Sequence, residues 1–173
     1  MVTTLVKCPE SVAVRLVRCA NDPAWQRAWL SLEAEDWRSL TVLPTGELSS
    51  LDLVHGLASV AWQQRGTPLV IADLREIRLA SLAAAKAELR RHIVSGERVL
   101  IAVHSVDKNP TTEPMLKESD KTVLCIHKGL TKMSHVKNAV RVVGAQRCLG
   151  AILFDSMGIV ETTKSVVVNT KSH

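Results

Sequence analysis

From Arg38 onward the chain alternates short, uninterrupted apolar runs with longer stretches in which apolar residues recur every three or four positions. Ser39-Leu40-Thr41-Val42-Leu43 reads as a first strand, stopped by Pro44-Thr45-Gly46. Leu51, Val54, Leu57, Ala58, Ala61 and Trp62 then fall on one helical stripe, with Ser49 or Ser50 as N-cap and Gly66 as the left-handed stop. Leu69-Val70-Ile71-Ala72 predicts a second strand ending at Asp73. Leu79, Leu82, Ala83, Leu89 and Ile93 predict a second helix closing near Gly96, and Arg98-Val99-Leu100-Ile101-Ala102-Val103 a third strand. The segment from His104 to Pro114 is polar and carries Asn109-Pro110, so it reads as a loop. Thr122-Val123-Leu124-Cys125-Ile126 is a fourth strand, and Met133, Val136, Ala139, Val140 and Val143 give a helix ended at Gly144. Leu149-Gly150-Ala151-Ile152-Leu153-Phe154 is a fifth strand.

Strands that are continuous apolar runs, each separated by a helix, imply a parallel sheet covered on both faces. The expected fold is therefore a doubly wound, mainly parallel α/β sheet over residues 38–155. Residues 1–37 form an N-terminal segment, with Val12-Ala13-Val14-Arg15-Leu16-Val17 as a candidate edge strand and Ala24 to Ala34 as a short helix carrying Trp25 and Trp29. Residues 156–173 are a tail or an extra strand containing Val166-Val167-Val168.

A length of 173 residues suits one domain, and 46% hydrophobic with 23% charged residues is an ordinary globular balance. Four Trp, one Phe and no Tyr leave the core to aliphatic side chains and exclude any mechanism that uses a phenol. The net charge of +5 and pI near 9.2 come from scattered basic residues. They read as a solvated basic surface, with a dedicated polyanion site as the alternative. Cys8, Cys19, Cys125 and Cys148 show neither a CxxC pair nor metal-ligand spacing. Cys125 and Cys148 lie in apolar runs as small hydrophobes, which suits a reducing compartment. With neither a leader pattern nor an apolar run long enough for a membrane span, the expected location is cytoplasmic.

In open parallel sheets, ligands bind beyond the carboxyl ends of the strands. Those ends are Pro44-Thr45-Gly46, Asp73, His104-Ser105 and the Lys128-Gly129 turn. The first runs from strand into helix, and Thr45, Gly46, Ser49 and Ser50 lie where backbone N–H groups hold an anion. Asp73 has two readings, a catalytic base or a partner of Arg75. His104 and His127 end neighbouring strands, but two histidines without Cys or carboxylate are a poor zinc set, so no metal is expected. His104-Ser105-Val106-Asp107 contains triad residue types, although triads assemble from distant segments. Lys132, Lys137 and Arg141 lie opposite the apolar stripe of their helix, as a solvated face or as a surface for a partner or an anion. Trp25 and Trp29, one helical turn apart, are either core residues or anchors for a partner or second subunit.

Three segments taken in order carry a resemblance. They are Thr41-Val42-Leu43-Pro44-Thr45-Gly46-Glu47-Leu48-Ser49-Ser50, then the stretch from Leu57 through Arg65-Gly66-Thr67-Pro68-Leu69-Val70-Ile71-Ala72-Asp73-Leu74-Arg75, then Ser119-Asp120 through Gly129-Leu130-Thr131 with Leu149-Gly150-Ala151-Ile152-Leu153-Phe154. Over roughly residues 24 to 155 they resemble the deviant P-loop ATPases of the partitioning-ATPase group. The likeness is greatest to the cytoplasmic domain of bacterial tyrosine kinases that serve capsule and exopolysaccharide export.

That resemblance locates what is missing. The P-loop lysine falls on Ser49 and the glycine before it on Leu48, while Ser50 keeps the magnesium-binding hydroxyl. Of the paired acids after the second strand, the first falls on Ile71 and the second on Asp73, and the Walker B aspartate falls on Ala102. Phosphoryl transfer rests on positioning and charge neutralisation, so ATP turnover and tyrosine phosphorylation are not expected. The resemblance implies a non-catalytic pseudo-ATPase that regulates or scaffolds by binding another protein of bacterial exopolysaccharide or cellulose synthesis and export, with no cofactor and with a homodimer as a further partner. Two alternatives stand beside it. One is weak binding of nucleotide through Thr45, Gly46 and Ser50, as a structural ligand or switch, and the other is binding of DNA or an anionic membrane through the basic helix.

Overall fold

The computed structural model describes residues 20–66, 69–155 and 158–163. The candidate edge strand Val12–Val17, Val166–Val168, Cys8 and Cys19 lie outside the described residues. Helix α1 spans Pro23–Glu33, capped by Asp22, whose carboxylate accepts from the Ala24 N–H at 2.7 Å. Strand β1 (Ser39–Pro44) leads to α2 (Ser50–Arg65) and β2 (Val70–Asp73). A short turn of 3₁₀ helix (Leu79–Ser81) runs into α3 (Leu82–Val94) and β3 (Val99–Ala102). Then come α4 (Thr112–Leu116), β4 (Lys121–His127), α5 (Met133–Val143), β5 (Cys148–Asp155) and β6 (Gly158–Thr163).

The strands form one six-stranded sheet in the order β2-β3-β1-β4-β5-β6. The first five are parallel to their neighbours, and β6 runs antiparallel along β5. This is the expected doubly wound α/β architecture, with the extra strand placed at 158–163. Alternation along each strand sorts side chains between two cores. Leu40, Val42, Leu100, Ala102, Val123, Cys125 and Ile152 face α1 and α2. Leu43, Val99, Ile101, Val103, Leu124 and Ala151 face α3, α4 and α5.

The tryptophans settle the two readings of Trp25 and Trp29 and correct that of Trp62. Trp25 and Trp29 are buried in the first core with Trp37, so neither presents an indole to a partner. Trp25 stands edge-on to Phe154 with ring centroids 6.1 Å apart, and Trp29 meets Trp37 in the same way. The Arg98 guanidinium lies 3.7 Å from the Trp37 ring centroid. Trp62, placed by periodicity on the buried stripe of α2, is instead 57% exposed, because α2 overhangs the end strand β2 there.

Three smaller corrections have the same origin. Leu79 and Ala83 are exposed, and of the residues of α3 only Leu89 is buried. That helix covers only β3 and the end strand, and ion pairs from Lys86 and Arg90 to Glu118 hold its other side. Met133 is exposed because it opens α5 at the rim of the sheet. The loop expected from His104 to Pro114 ends early, since Pro114 sits in the first turn of α4 where its missing N–H costs nothing. Among the described residues no helix is long and apolar enough to cross a membrane.

Candidate functional site

The carboxyl ends of β1, β2, β3 and β4 gather the residues singled out above. At the turn after β1, Thr45 is buried, and both its N–H (2.9 Å) and its hydroxyl (2.8 Å) donate to the Cys125 carbonyl, which pins the turn to β4. Gly46 has φ +141°, a conformation that needs glycine, and lies against the Thr131 hydroxyl. Ser49 caps α2 by accepting from the Asp52 N–H at 3.4 Å. Ser50 is buried, and its hydroxyl donates to the Val103 carbonyl at 2.5 Å. Leu48, in the position the resemblance assigns to glycine, is half-buried against the first core.

Several charges at this end meet an opposite charge from the chain itself. Lys108 Nζ reaches from the loop after β3 to Glu47 Oε2 at 3.0 Å, over the turn that follows β1. Arg75 grips both oxygens of Asp73, Nε to Oδ1 at 2.8 Å and Nη2 to Oδ2 at 2.9 Å. Burial pushes the Asp73 carboxyl up, but the hydrogen bonds and charge of Arg75 outweigh it and hold the group below its ordinary value. A carboxylate so stabilised is a poor proton acceptor, so the reading of Asp73 as a base gives way to the ion pair. His104 Nε2 lies 2.8 Å from Glu76 Oε1. Burial pushes His55 of α2 below its ordinary value, with Asp52 and Asp73 countering only in part.

The His104-Ser105-Val106-Asp107 tetrad does not assemble a triad. Asp107 turns to α5, where its carboxylate lies 2.7 Å from His135 Nδ1 and accepts from Asn138 Nδ2 at 2.9 Å. His127 Nδ1 lies 3.1 Å from the Lys128 carbonyl oxygen. Among the described residues no group of three His, Cys, Asp or Glu side chains could hold a metal ion. Lys132, Lys137 and Arg141 are all exposed on α5, Arg141 donating to Asn138 Oδ1 at 2.7 Å.

Sequence reasoning found the turn, Asp73 and Arg75, but missed the roles of Lys108, Glu47, Glu76 and His135. Lys108 and Glu47 stand 61 positions apart, and His104 and Glu76 stand 28 apart. No local pattern links such pairs. Only the parallel order of β1, β2 and β3 brings their ends together.

Ala102 and Ile71, which stand where the resemblance expects carboxylates, belong to the first core: Ala102 is buried and Ile71 packs against it. This end of the sheet thus has a strand-to-helix turn at β1, with Lys108 paired to Glu47, Arg75 to Asp73 and His104 to Glu76. No protein-family profile matches the chain, and no curated protein sequence matches it. Among solved structures, the chimerical protein CapA2B2 is similar with a TM-score of 0.64 and 15% identity, over 88% of this chain and 92% of that one. The likeness confirms the α/β fold over nearly the whole length.

Proposed function

We propose that this chain is a non-catalytic P-loop-like domain that acts as a regulator or scaffold by binding another protein. The observation that carries the reading is the self-paired carboxyl end of the sheet. Glu47–Lys108 closes over the turn, Asp73 is held by Arg75, and the Ser50 hydroxyl is buried on the Val103 carbonyl. A triphosphate with magnesium needs a cation from the chain and carboxylates for the metal, and here those groups neutralise each other. The order of motifs supports a setting in bacterial exopolysaccharide or cellulose synthesis and export, on the cytoplasmic side of the membrane, and the fold shared with CapA2B2 is consistent with that order. Titration with labelled ATP and magnesium tests the loss of chemistry: no saturation below about the millimolar range is expected, and micromolar binding sinks the reading.

A second reading, weak nucleotide binding as a switch, has one observation in its favour. Among the described residues, the backbone N–H groups of Gly46, Glu47 and Leu48 make no hydrogen bond ahead of the helix start. The same titration decides between them. The exposed bases of α5 support binding to DNA or anionic vesicles only if it weakens steeply with salt.

A further inference from the structure

The turn between β4 and α5 holds two large apolar side chains out from the surface. Leu130 is 75% exposed and Met133, three positions on, is 64% exposed. Three residues of chain reach at most about 11 Å, so both belong to one small patch at the carboxyl end of β4. The turn beneath them is fixed. The His127 carbonyl accepts from the N–H groups of Leu130 (3.2 Å) and Thr131 (3.0 Å), and the Thr131 hydroxyl accepts from the His127 N–H at 3.0 Å. The Lys128 N–H donates to the Phe154 carbonyl of β5 at 2.6 Å. A closed loop anchored on two strands therefore presents the patch.

The charge around it has one sign. Between Asp120 and Asp155 the sequence has no Asp or Glu. Of the bases in that stretch, Lys121 and Arg147 donate to carbonyls at the other end of the sheet, and Arg141 donates to Asn138. Lys128, Lys132 and Lys137 are exposed beside the patch, Lys137 one helical turn after Met133. Among the described residues none of these three forms an ion pair. The acids that other segments bring near are engaged elsewhere, Asp107 with His135 and Asn138, Glu47 with Lys108, and Glu113 with Lys117. Asp155, one position past the pair His127–Phe154, falls opposite Lys128 and leaves Lys132 and Lys137.

We propose that this patch docks on an anionic membrane surface, with Leu130 and Met133 entering the headgroup boundary and Lys128, Lys132 and Lys137 meeting its acidic lipids. The proposal rests on the reading of α5 as a basic surface, which it deepens, and is independent of the loss of ATP chemistry. Two signals act together. An apolar pair alone is too small to hold a protein on a bilayer, and lysines alone give an attraction that salt screens. Combined, the inserted pair keeps the lysines within the short range of the surface potential. The combination also separates a membrane from nucleic acid. The phosphates of a duplex attract the same lysines, but their hydrated backbone offers no apolar phase to Leu130 and Met133. Nor does the stretch from His127 to Val143 contain a Phe, Trp or Tyr to stack on an unpaired base.

Cosedimentation of the full chain with vesicles is the test. At about 0.1 M salt the chain should bind phosphatidylcholine vesicles carrying about 30% phosphatidylglycerol and leave pure phosphatidylcholine vesicles largely unbound. Leu130→Ser with Met133→Ser should lower the partition coefficient at least about tenfold at unchanged charge. Lys132→Gln with Lys137→Gln should also lower it and flatten its dependence on salt. All four side chains are exposed, so circular dichroism should show both variants folded. Vesicle binding that the lysines govern but Leu130 and Met133 do not, or duplex DNA bound more tightly than vesicles, overturns the proposal and leaves the basic surface standing. Binding to neither vesicles nor DNA removes both.

Discussion

The two flanks of the sheet treat the same side chain in opposite ways. At the β5–β6 flank, α1 lies across the sheet, and its Trp25 and Trp29 are buried against Phe154 and Trp37. The fit is close enough that a Cβ on Gly56 of α2 would stand 2.3 Å from the Trp25 ring. At the β2 flank, among the described residues, no helix lies outside α2, and Trp62 is 57% exposed beside α3, of which only Leu89 is buried. A tryptophan on an apolar helical stripe is thus buried or exposed according to what its fold places beyond it. One flank is a packed core, and on the other a tryptophan from a similar stripe stands exposed.

That contrast can be broken by substitution, and the largest effect belongs to the packed flank. Trp29→Ala should destabilise by about 3–5 kcal/mol in urea unfolding, since it empties a fully buried site and removes one wall of the Trp37 contact. Gly56→Ala should cost about 1–3 kcal/mol, because the added methyl meets the Trp25 ring and not solvent. Trp25→Ala made first should abolish that second penalty, which a double-mutant cycle reads directly.

On the open flank the effects are smaller. His55 adds a pH dependence whose sign follows from its depressed folded value, below 6.5. Between the folded value and 6.5 the unfolded chain binds more protons, so stability rises with pH across that window and falls as acid takes the group through it. His55→Gln should flatten that part of a stability–pH curve. Trp62→Lys should change the unfolding free energy by less than about 0.5 kcal/mol in urea unfolding, since the side chain is largely exposed. A loss as large as that of Trp29→Ala would mean Trp62 is core after all, and the two flanks would no longer differ.

The fold was legible because its signals are local. A fully apolar run such as Val99-Leu100-Ile101-Ala102 has no polar face to offer water, so it must be a strand covered on both sides, as it is. Gly66 and Gly144 ended their helices where expected, with positive φ that other residues avoid. The candidate site was legible in part. The turn from Pro44 to Ser50 at the end of β1 and the neighbouring pair Asp73 and Arg75 can be read from order alone.

What remained hidden was every relation between distant segments. Periodicity says that Trp25, Trp29 and Trp62 lie on apolar stripes, and it is silent on which stripe meets a second layer. The strand order places β2 at the end of the sheet and β1 inside it, and that order alone exposes Trp62 while burying the others. The same order carries Lys108 to Glu47 and His104 to Glu76. Local sequence therefore determined which segments are strands and helices, because hydrophobic period acts over a few positions. The tertiary structure decided which charges neutralise one another and which apolar face stays open, because both depend on strands brought side by side from far along the chain.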